Sequence, residues 1–250
     1  MLTNKRILLT GSVDSSISLS HSLALHGASV QLVPMIEIFP VESTSHIHQC
    51  VSNLNTFEWI MFTSKYGVSS WFDMLHVHGV QIPHTMKFAS VGSKTAEKLT
   101  SYGYIADFVC SKHNGKDFAK EFSEFCNHTE TRVLFPTGNL TQNMIALTVS
   151  PAILITKCIV YQTVPPQYFD ASIFDKIRAN QFDFIIFTSP SGVTNFVELS
   201  NEPTLLHKAQ IISIGPSTTK RLQEYNCTTS VQAQEYTSQG IFAILQQLNT

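Results

Sequence analysis

Small hydroxyl-bearing residues recur where an apolar run passes into a segment with helical spacing. In one such turn Ser189 precedes Pro190, which is typical of a helix with a serine N-cap and a proline at its first position. A turn of this kind offers the first NH groups of the helix and a hydroxyl, and both donate hydrogen bonds to anions. Four turns share the pattern, and the predicted binding residues are Thr63, Ser64 and Lys65; Gly92, Ser93, Lys94 and Thr95; Thr188, Ser189, Ser191 and Gly192; and Gly215, Ser217 and Thr218.

Two interpretations of these turns remain open. Helix capping alone explains any single one of them, because N-caps and anion sites use the same residue types. Four turns in two matching sets favour a ligand that carries many anionic groups.

Other patterns of chemical interest are weaker. Thr10, Gly11 and Ser12 follow the first apolar run, but neither the glycine pattern of dinucleotide-binding folds nor a phosphate-binding lysine loop follows. The histidine pairs 46/48 and 76/78 lack the spacing of a metal site, so we predict surface histidines and no bound metal. The residues show no serine-histidine-aspartate arrangement and no pair of carboxylates poised for acid and base catalysis.

The chain contains an internal repeat. Residues 57–68 resemble residues 182–193, and residues 88–99 resemble residues 211–222 in the same order. A weaker match pairs residues 6–11 with residues 132–138. Both halves are therefore expected to share one structural plan.

Short apolar runs alternate with segments of helical period in each half. The expected strands are 5–10, 29–34, 58–63, 87–91, 131–136, 152–156, 183–188 and 209–213, and the expected helices of the first half are 15–27, 65–77 and 93–102. Apolar runs without alternation indicate parallel strands that are covered on both faces. The sequence predicts an α/β fold with two doubly wound parallel sheets. Residues 34–40 and 158–166 end in proline and are expected to be paired connectors.

Composition limits the classes of function. The 250 residues include 43% hydrophobic and 14% charged residues with a net charge of −2, which suits a globular protein with a full core. Lysine and arginine form no run, so we expect neither nucleic acid nor a membrane surface as a partner. Without an export signal or a span of about 20 apolar residues, we expect a cytoplasmic protein. No heptad or long apolar stripe is present, so we expect a monomer.

From end to end, the sequence resembles the uroporphyrinogen-III synthase family. Three elements carry the resemblance: Phe-Thr-Ser-x-x-Gly-Val at 62–68 and 187–193, Val/Ile-Gly-x-x-Thr at 91–95 and 214–218, and the linker segment 159–163 around Tyr161. The resemblance implies two flavodoxin-like domains joined by a two-stranded linker. It places residues 1–35 and 167–250 in one discontinuous domain, 41–157 in the other, and 36–40 and 158–166 in the linker.

The resemblance also implies a reaction. Hydroxymethylbilane, a linear tetrapyrrole with eight carboxylates, would lose its hydroxyl group and close to uroporphyrinogen III with inversion of the D ring, without a cofactor. The family's tyrosine falls on Tyr161, whose phenol would donate a proton or a hydrogen bond to the departing hydroxyl. Lys65 and Lys94 would supply positive charge. The structural alternative is that Tyr161 only packs at a domain boundary. In either case we expect the phenol of Tyr161 to be solvated.

The sequence departs from the family pattern at two turns. Similar sequences carry an arginine after the first strand and another after the strand at 131–136, whereas Gly11-Ser12 and Thr137-Gly138 stand here. The sequence therefore does not predict ion pairs between the substrate and these two turns.

A competing class of function is a two-lobed anion-binding or sensor protein, which would bind its ligand tightly without turnover.

Overall fold

The structure, a computed structural model, describes residues 1–111, 115–141 and 143–248. The chain divides into two compact units. One unit comprises Met1–Ile38 and Val164–Thr250, and the other comprises Phe39–Thr163.

Eleven strands and ten α-helices are assigned within the described residues. The strands are β1 (Arg6–Leu9), β2 (Ser29–Leu32), β3 (Glu37–Pro40), β4 (Trp59–Phe62), β5 (Lys87–Ser90), β6 (Phe108–Val109), β7 (Thr131–Gly138), β8 (Ile153–Val164), β9 (Phe184–Phe187), β10 (Gln210–Ser213) and β11 (Val231–Gln232). The helices are α1 (Val13–Leu25), α2 (Ser45–Ser52), α3 (Lys65–His78), α4 (Ser93–Thr100), α5 (Gly115–Phe125), α6 (Met144–Thr148), α7 (Ser172–Arg178), α8 (Pro190–Ser200), α9 (Pro216–Glu224) and α10 (Ser238–Gln247). Short 3₁₀ helices span Leu54–Thr56 and Pro203–His207.

A five-stranded parallel sheet organises the first unit. Its strand order is β11-β10-β9-β1-β2, so the chain places its second strand on one side of β1 and its later strands on the other. This is the flavodoxin-like order, and its topological switch point lies between β1 and β9. Both faces are covered, because Leu8 packs in one hydrophobic core and Ile7 and Leu9 pack in the other.

A six-stranded sheet of order β3-β8-β7-β4-β5-β6 organises the second unit. The five strands from β8 to β6 repeat the order of the first sheet, with β7 in the place of β1 and β4 in the place of β9. The second switch point therefore lies between β7 and β4. The two sheets confirm the predicted α/β class with doubly wound parallel architecture.

The connectors differ from the expectation. Instead of a strand at 152–156 followed by a separate connector, β8 runs without a break for twelve residues, from Ile153 to Val164. No glycine or proline interrupts this segment, and its buried Cys158 and Val160 continue the core of the sheet. The first connector supplies β3, which lies beside β8 at the sheet edge. The two-residue strands β6 and β11 were not predicted, since runs that short carry no periodic signal.

Candidate active site

The predicted turns lie at the carboxyl edges of the two sheets and share one geometry. In the second unit the Val91 NH donates to the Phe62 carbonyl over 3.0 Å, which joins the turn after β4 to the turn after β5. In the first unit the Ile214 NH donates to the Phe187 carbonyl, also over 3.0 Å. Each unit thus brings two strand-to-helix turns side by side.

Serine caps the helix in one turn of each pair. The Ser64 Oγ accepts a hydrogen bond from the Gly67 NH over 3.0 Å, and the Ser189 Oγ accepts one from the Gly192 NH over the same distance. The Ser191 Oγ lies 3.2 Å from the Ser189 Oγ. Capping occupies one lone pair of each serine and leaves its hydroxyl proton to donate, so capping and anion binding are compatible. The two half-buried threonines that precede these caps are Thr63 and Thr188.

Glycine begins the helix in the other turn of each pair. Gly92 and Gly215 are the N-caps of α4 and α9, and neither helix has a side-chain cap. The third helical residues, Thr95 and Thr218, are 8% and 2% exposed, and their NH groups donate to the carbonyls of Gly92 and Gly215 over 3.1 Å. These two NH groups are therefore paired within the turn, whereas the sequence pattern predicted that the first NH groups of each helix are unpaired and available to an anion. The exposed polar residues of the first turns are Ser93, Lys94 and Ser217.

Positive charge lies close to one of the serine turns. The Lys65 Nζ is 5.0 Å from the centre of the Tyr66 ring, and that ring lies 6.1 Å from the ring of Tyr161. Lys65 begins α3 directly after Ser64, so its ammonium group reinforces the positive end of the helix dipole.

Tyr161 lies on β8 next to the second switch point. Its phenol oxygen is 3.0 Å from the Ser64 Oγ, and the residue is 9% exposed, so the expectation of a solvated phenol is wrong. Burial raises the pKa of Tyr161 above its ordinary value, and the hydrogen bond with Ser64 lowers the pKa by less. The phenol therefore keeps its proton at neutral pH and can donate it.

Gly138 makes room for the Tyr161 ring. The pairing of β7 with β8 shifts register between Thr137 and Gly138, which sets Gly138 opposite Tyr161. A Cβ atom at Gly138 would overlap the ring and would lie 3.0 Å from the phenol oxygen. A second glycine, Gly67, fits against β7 in the same way, since a Cβ there would lie 2.9 Å from the Pro136 carbonyl oxygen.

Two absences apply to the part of the chain that the structure describes. Residues 1–111, 115–141 and 143–248 contain no group of three or more histidine, cysteine, aspartate or glutamate side chains that could hold a metal ion. Within the same ranges, every helix is too short or too polar to cross a bilayer.

Comparison with known proteins gives the family. The family model described as uroporphyrinogen-III synthase HemD matches residues 18–243. The chain belongs to the uroporphyrinogen-III synthase family. The uroporphyrinogen-III synthase of Synechococcus elongatus is 27% identical over 266 residues, which cover 98% of this chain and 96% of that protein. The porphyrin biosynthesis protein HemD of Ruminiclostridium josui is 26% identical over 90% of this chain, which spans only 45% of that longer relative.

Solved structures of the family share the fold. The uroporphyrinogen III synthase of Thermus thermophilus, in a mutant form, superposes with a TM-score of 0.68 and 14% identity and covers 98% of this chain and 99% of that one. The Helicobacter pylori uroporphyrinogen-III synthetase gives a TM-score of 0.61 and 17% identity with the same coverage. At such low identity, these structures support the architecture alone.

The contact between Gly138 and the Tyr161 ring was not predicted from the sequence. In the sequence, Gly138 stands out only because similar sequences carry an arginine at this turn. No local sequence pattern indicates that Gly138 contacts the Tyr161 ring, because this contact depends on how β7 pairs with β8. The only available signal was its position at the end of an apolar run, where a close backbone approach is common.

Replacing Gly138 by alanine should displace the Tyr161 ring and break its contact with Ser64. We expect the free energy of unfolding to fall by about 1–3 kcal/mol, as for other overpacked sites, and the turnover rate to fall by about tenfold or more, since a small misplacement of a catalytic group is costly. Thermal melts and initial rates measure the two effects. Gly115→Ala is the matched control, because among the residues that the structure describes a Cβ there meets only Ile145 side-chain atoms, at 3.3 Å and beyond. A parental rate in Gly138→Ala would contradict the assigned role.

Proposed function

We propose that the protein cyclises hydroxymethylbilane to uroporphyrinogen III, with inversion of the D ring and loss of water, in tetrapyrrole biosynthesis. The observation that carries this proposal is the buried, protonated phenol of Tyr161, held by Ser64 at a switch point of the sheet. Membership of the uroporphyrinogen-III synthase family and the similarity to the uroporphyrinogen-III synthase of Synechococcus elongatus support this substrate class.

Tyr161 supplies the proton of the first step. The bond between the terminal methylene carbon and its hydroxyl oxygen breaks, the phenol donates its proton to the departing oxygen, and water leaves a methylene cation stabilised by the pyrrole nitrogen of ring A. This methylene carbon bonds to the substituted α carbon of ring D, which gives the spiro intermediate. The bond between that α carbon and the methylene bridge to ring C then breaks, and the bridge bonds to the other α carbon of ring D, which inverts the ring. The proton that this second α carbon loses returns to the Tyr161 phenolate. Substrate and product differ only by one water molecule, so the overall reaction needs no oxidant or reductant and we propose that no cofactor takes part.

The eight carboxylates of the substrate are the anionic groups that the turns bind. Lysine and arginine form no run in the sequence and the net charge is −2, which favours local donors over a basic surface as the means of binding these carboxylates. Hydroxyls and helix NH groups in both units provide such donors, and Lys65 and Lys94 add charge. Hydrogen bonds to charged carboxylates are about twice as strong as neutral ones.

We further propose that the protein acts in the cytoplasm as a monomer, with the tetrapyrrole as its small-molecule ligand and no nucleic-acid or membrane partner. The scattered charges of the sequence support this, since they form no basic stripe. Sedimentation at assay concentration tests the oligomeric state.

Freshly prepared hydroxymethylbilane tests the proposed reaction. The purified protein is incubated with it, the products are oxidised, and the porphyrin isomers are resolved by chromatography. We expect the III isomer with protein and the I isomer without it, because the substrate also closes spontaneously without inversion. Tight binding with only the I isomer formed would overturn the proposal and favour the anion-binding or sensor alternative.

A further inference from the structure

A groove opens at the amino-terminal edge of the second sheet, at the opposite ends of the strands from the turns of the candidate active site. Its volume is about 500 Å³, and α2 and the first residues of β7 and β8 form its walls. Arg132 and Leu154 lie opposite each other in the register of these two strands, and both line the groove and are exposed. The groove is therefore open to solvent at this end.

Two cysteines lie at the inner end of the groove. Along β8 the side chains of Leu154, Thr156 and Cys158 share one face of the sheet, since alternate residues of a strand point the same way. Exposure falls along this row from 50% at Leu154 to 0% at Cys158, with the half-buried Thr156 between them. Cys50, on α2, lines the groove, and its thiol is hydrogen-bonded to the thiol of Cys158. A small molecule in the groove therefore meets Cys50 first, and Cys158 lies directly behind it.

Cys50 has the surroundings of a reactive thiol. The His46 Nε2 is 2.8 Å from the Lys157 carbonyl oxygen, so it carries a proton to donate there, and it lies 3.8 Å from the Cys50 Sγ. The hydrogen bond with Cys158 lowers the pKa of Cys50 to about 7, an effect that burial opposes and the nearby His46 reinforces. The same hydrogen bond and burial raise the pKa of Cys158. At neutral pH Cys50 is therefore partly thiolate, which is the reactive form, and Cys158 keeps its proton.

Cys126 provides an internal comparison. It is half-buried and so more exposed than Cys50, which is 2% exposed. Burial nevertheless raises the pKa of Cys126 above its ordinary value, and the hydrogen bond with Thr131 lowers it by less. Exposure alone would make Cys126 the more reactive thiol of the two, whereas thiolate character favours Cys50.

We propose that Cys50 and Cys158 form a redox-active pair, which a small hydroperoxide entering the groove converts to a disulfide. The Cys50 sulfur attacks one peroxide oxygen, and the O–O bond breaks. The departing oxygen takes up the proton that Cys50 lost on ionising, and Cys50 becomes a sulfenic acid. The Cys158 sulfur then attacks the Cys50 sulfur, the S–O bond breaks, and the departing hydroxide takes the Cys158 proton and leaves as water. The two thiols together lose two electrons and two protons, and the peroxide takes them up.

Peptide mapping of the oxidised parent protein tests the pair. The reduced protein is treated with hydrogen peroxide at neutral pH, sampled over time, digested and analysed by mass spectrometry. We expect a disulfide-linked pair of peptides that contain Cys50 and Cys158, and dithiothreitol should restore both thiols. The Cys50 thiol should disappear about fivefold or more faster than the Cys126 thiol, because its larger thiolate fraction outweighs the lower nucleophilicity that accompanies a lower pKa. Absence of the linked peptides, or faster loss of the Cys126 thiol, would overturn the inference.

Two serine variants separate the roles of the cysteines. In Cys158→Ser the serine hydroxyl can still donate to Cys50, but no second thiol follows, so the Cys50 sulfenic acid should persist and be trapped by dimedone. In Cys50→Ser the thiol of Cys158 should stay reduced, since the thiol that reacts first is gone. Cys126→Ser is the matched control and should form the disulfide at the parental rate. Parental loss of the Cys158 thiol in Cys50→Ser, or no dimedone adduct in Cys158→Ser, would contradict the proposed order of steps.

These measurements stand apart from the proposed function. The peptide map of the parent needs no variant, so a serine variant that failed to fold would leave the central result in place. None of the experiments uses a tetrapyrrole, so the redox pair and the ring closure succeed or fail separately.

Discussion

Replacing Tyr161 by phenylalanine should slow formation of the III isomer by about 10² to 10⁴, the usual contribution of a positioned general acid. The variant keeps the ring that packs against Gly138 and loses only the phenol oxygen near Ser64. The Ser64 Oγ still accepts from the Gly67 NH, so no buried group is left without a partner. The free energy of unfolding should therefore fall by only about 0.5–1.5 kcal/mol, the net value of one hydrogen bond.

The ratio of the I isomer to the III isomer measures the loss of catalysed rate, and no separate rate standard is needed. Spontaneous closure gives the I isomer at a constant rate, so a slower enzyme lets the I-to-III ratio rise at limiting protein. Tyr104→Phe is the matched control, since this half-buried tyrosine packs against Phe88 and Phe72 outside the switch point. An unchanged ratio in Tyr161→Phe would remove the phenol from the mechanism and leave stabilisation by the turn donors as the source of catalysis.

Replacing Thr218 by methionine should reduce kcat/KM by about 10²-fold, because a misplaced binding turn costs a rate of that order. The methionine side chain has no space at a position that is 2% exposed, so it must push the turn from Gly215 to Ser217 outward. That movement closes the approach of a carboxylate to the exposed Ser217 at the start of α9. The same overpacking should lower the free energy of unfolding by about 1–3 kcal/mol.

Two further variants separate the effect on binding from the effect on folding. Thr218→Val keeps the shape of the side chain, so it should stay folded and retain more kcat/KM than the methionine variant. Lys220→Met places methionine on the exposed face of the same helix and should leave kcat/KM and the melting temperature near the parental values. Parental kcat/KM in folded Thr218→Met would contradict the role of this turn in binding.

Local sequence signals were sufficient for the architecture. The apolar runs at β4 and β9 predicted buried parallel strands, and Ser64 and Ser189 were recognisable as caps of the helices that follow. Such signals are readable because an N-cap or a buried strand depends on neighbours within a few residues. The internal repeat then predicted that both halves contain the same kind of sheet, which the structure confirms.

The contacts that create a site were decided by the tertiary structure. Ser64 and Tyr161 are separated by 97 positions in the chain, and they meet only because β7 lies between β4 and β8 in the sheet. Cys50 and Cys158 are also distant in the chain, and they meet only because α2 packs beside β8. A sequence names the residue types at the end of each strand, but the strand order decides which ends are adjacent. Because burial and hydrogen bonding depend on that adjacency, the raised pKa of Tyr161 and the lowered pKa of Cys50 became visible only in the folded chain.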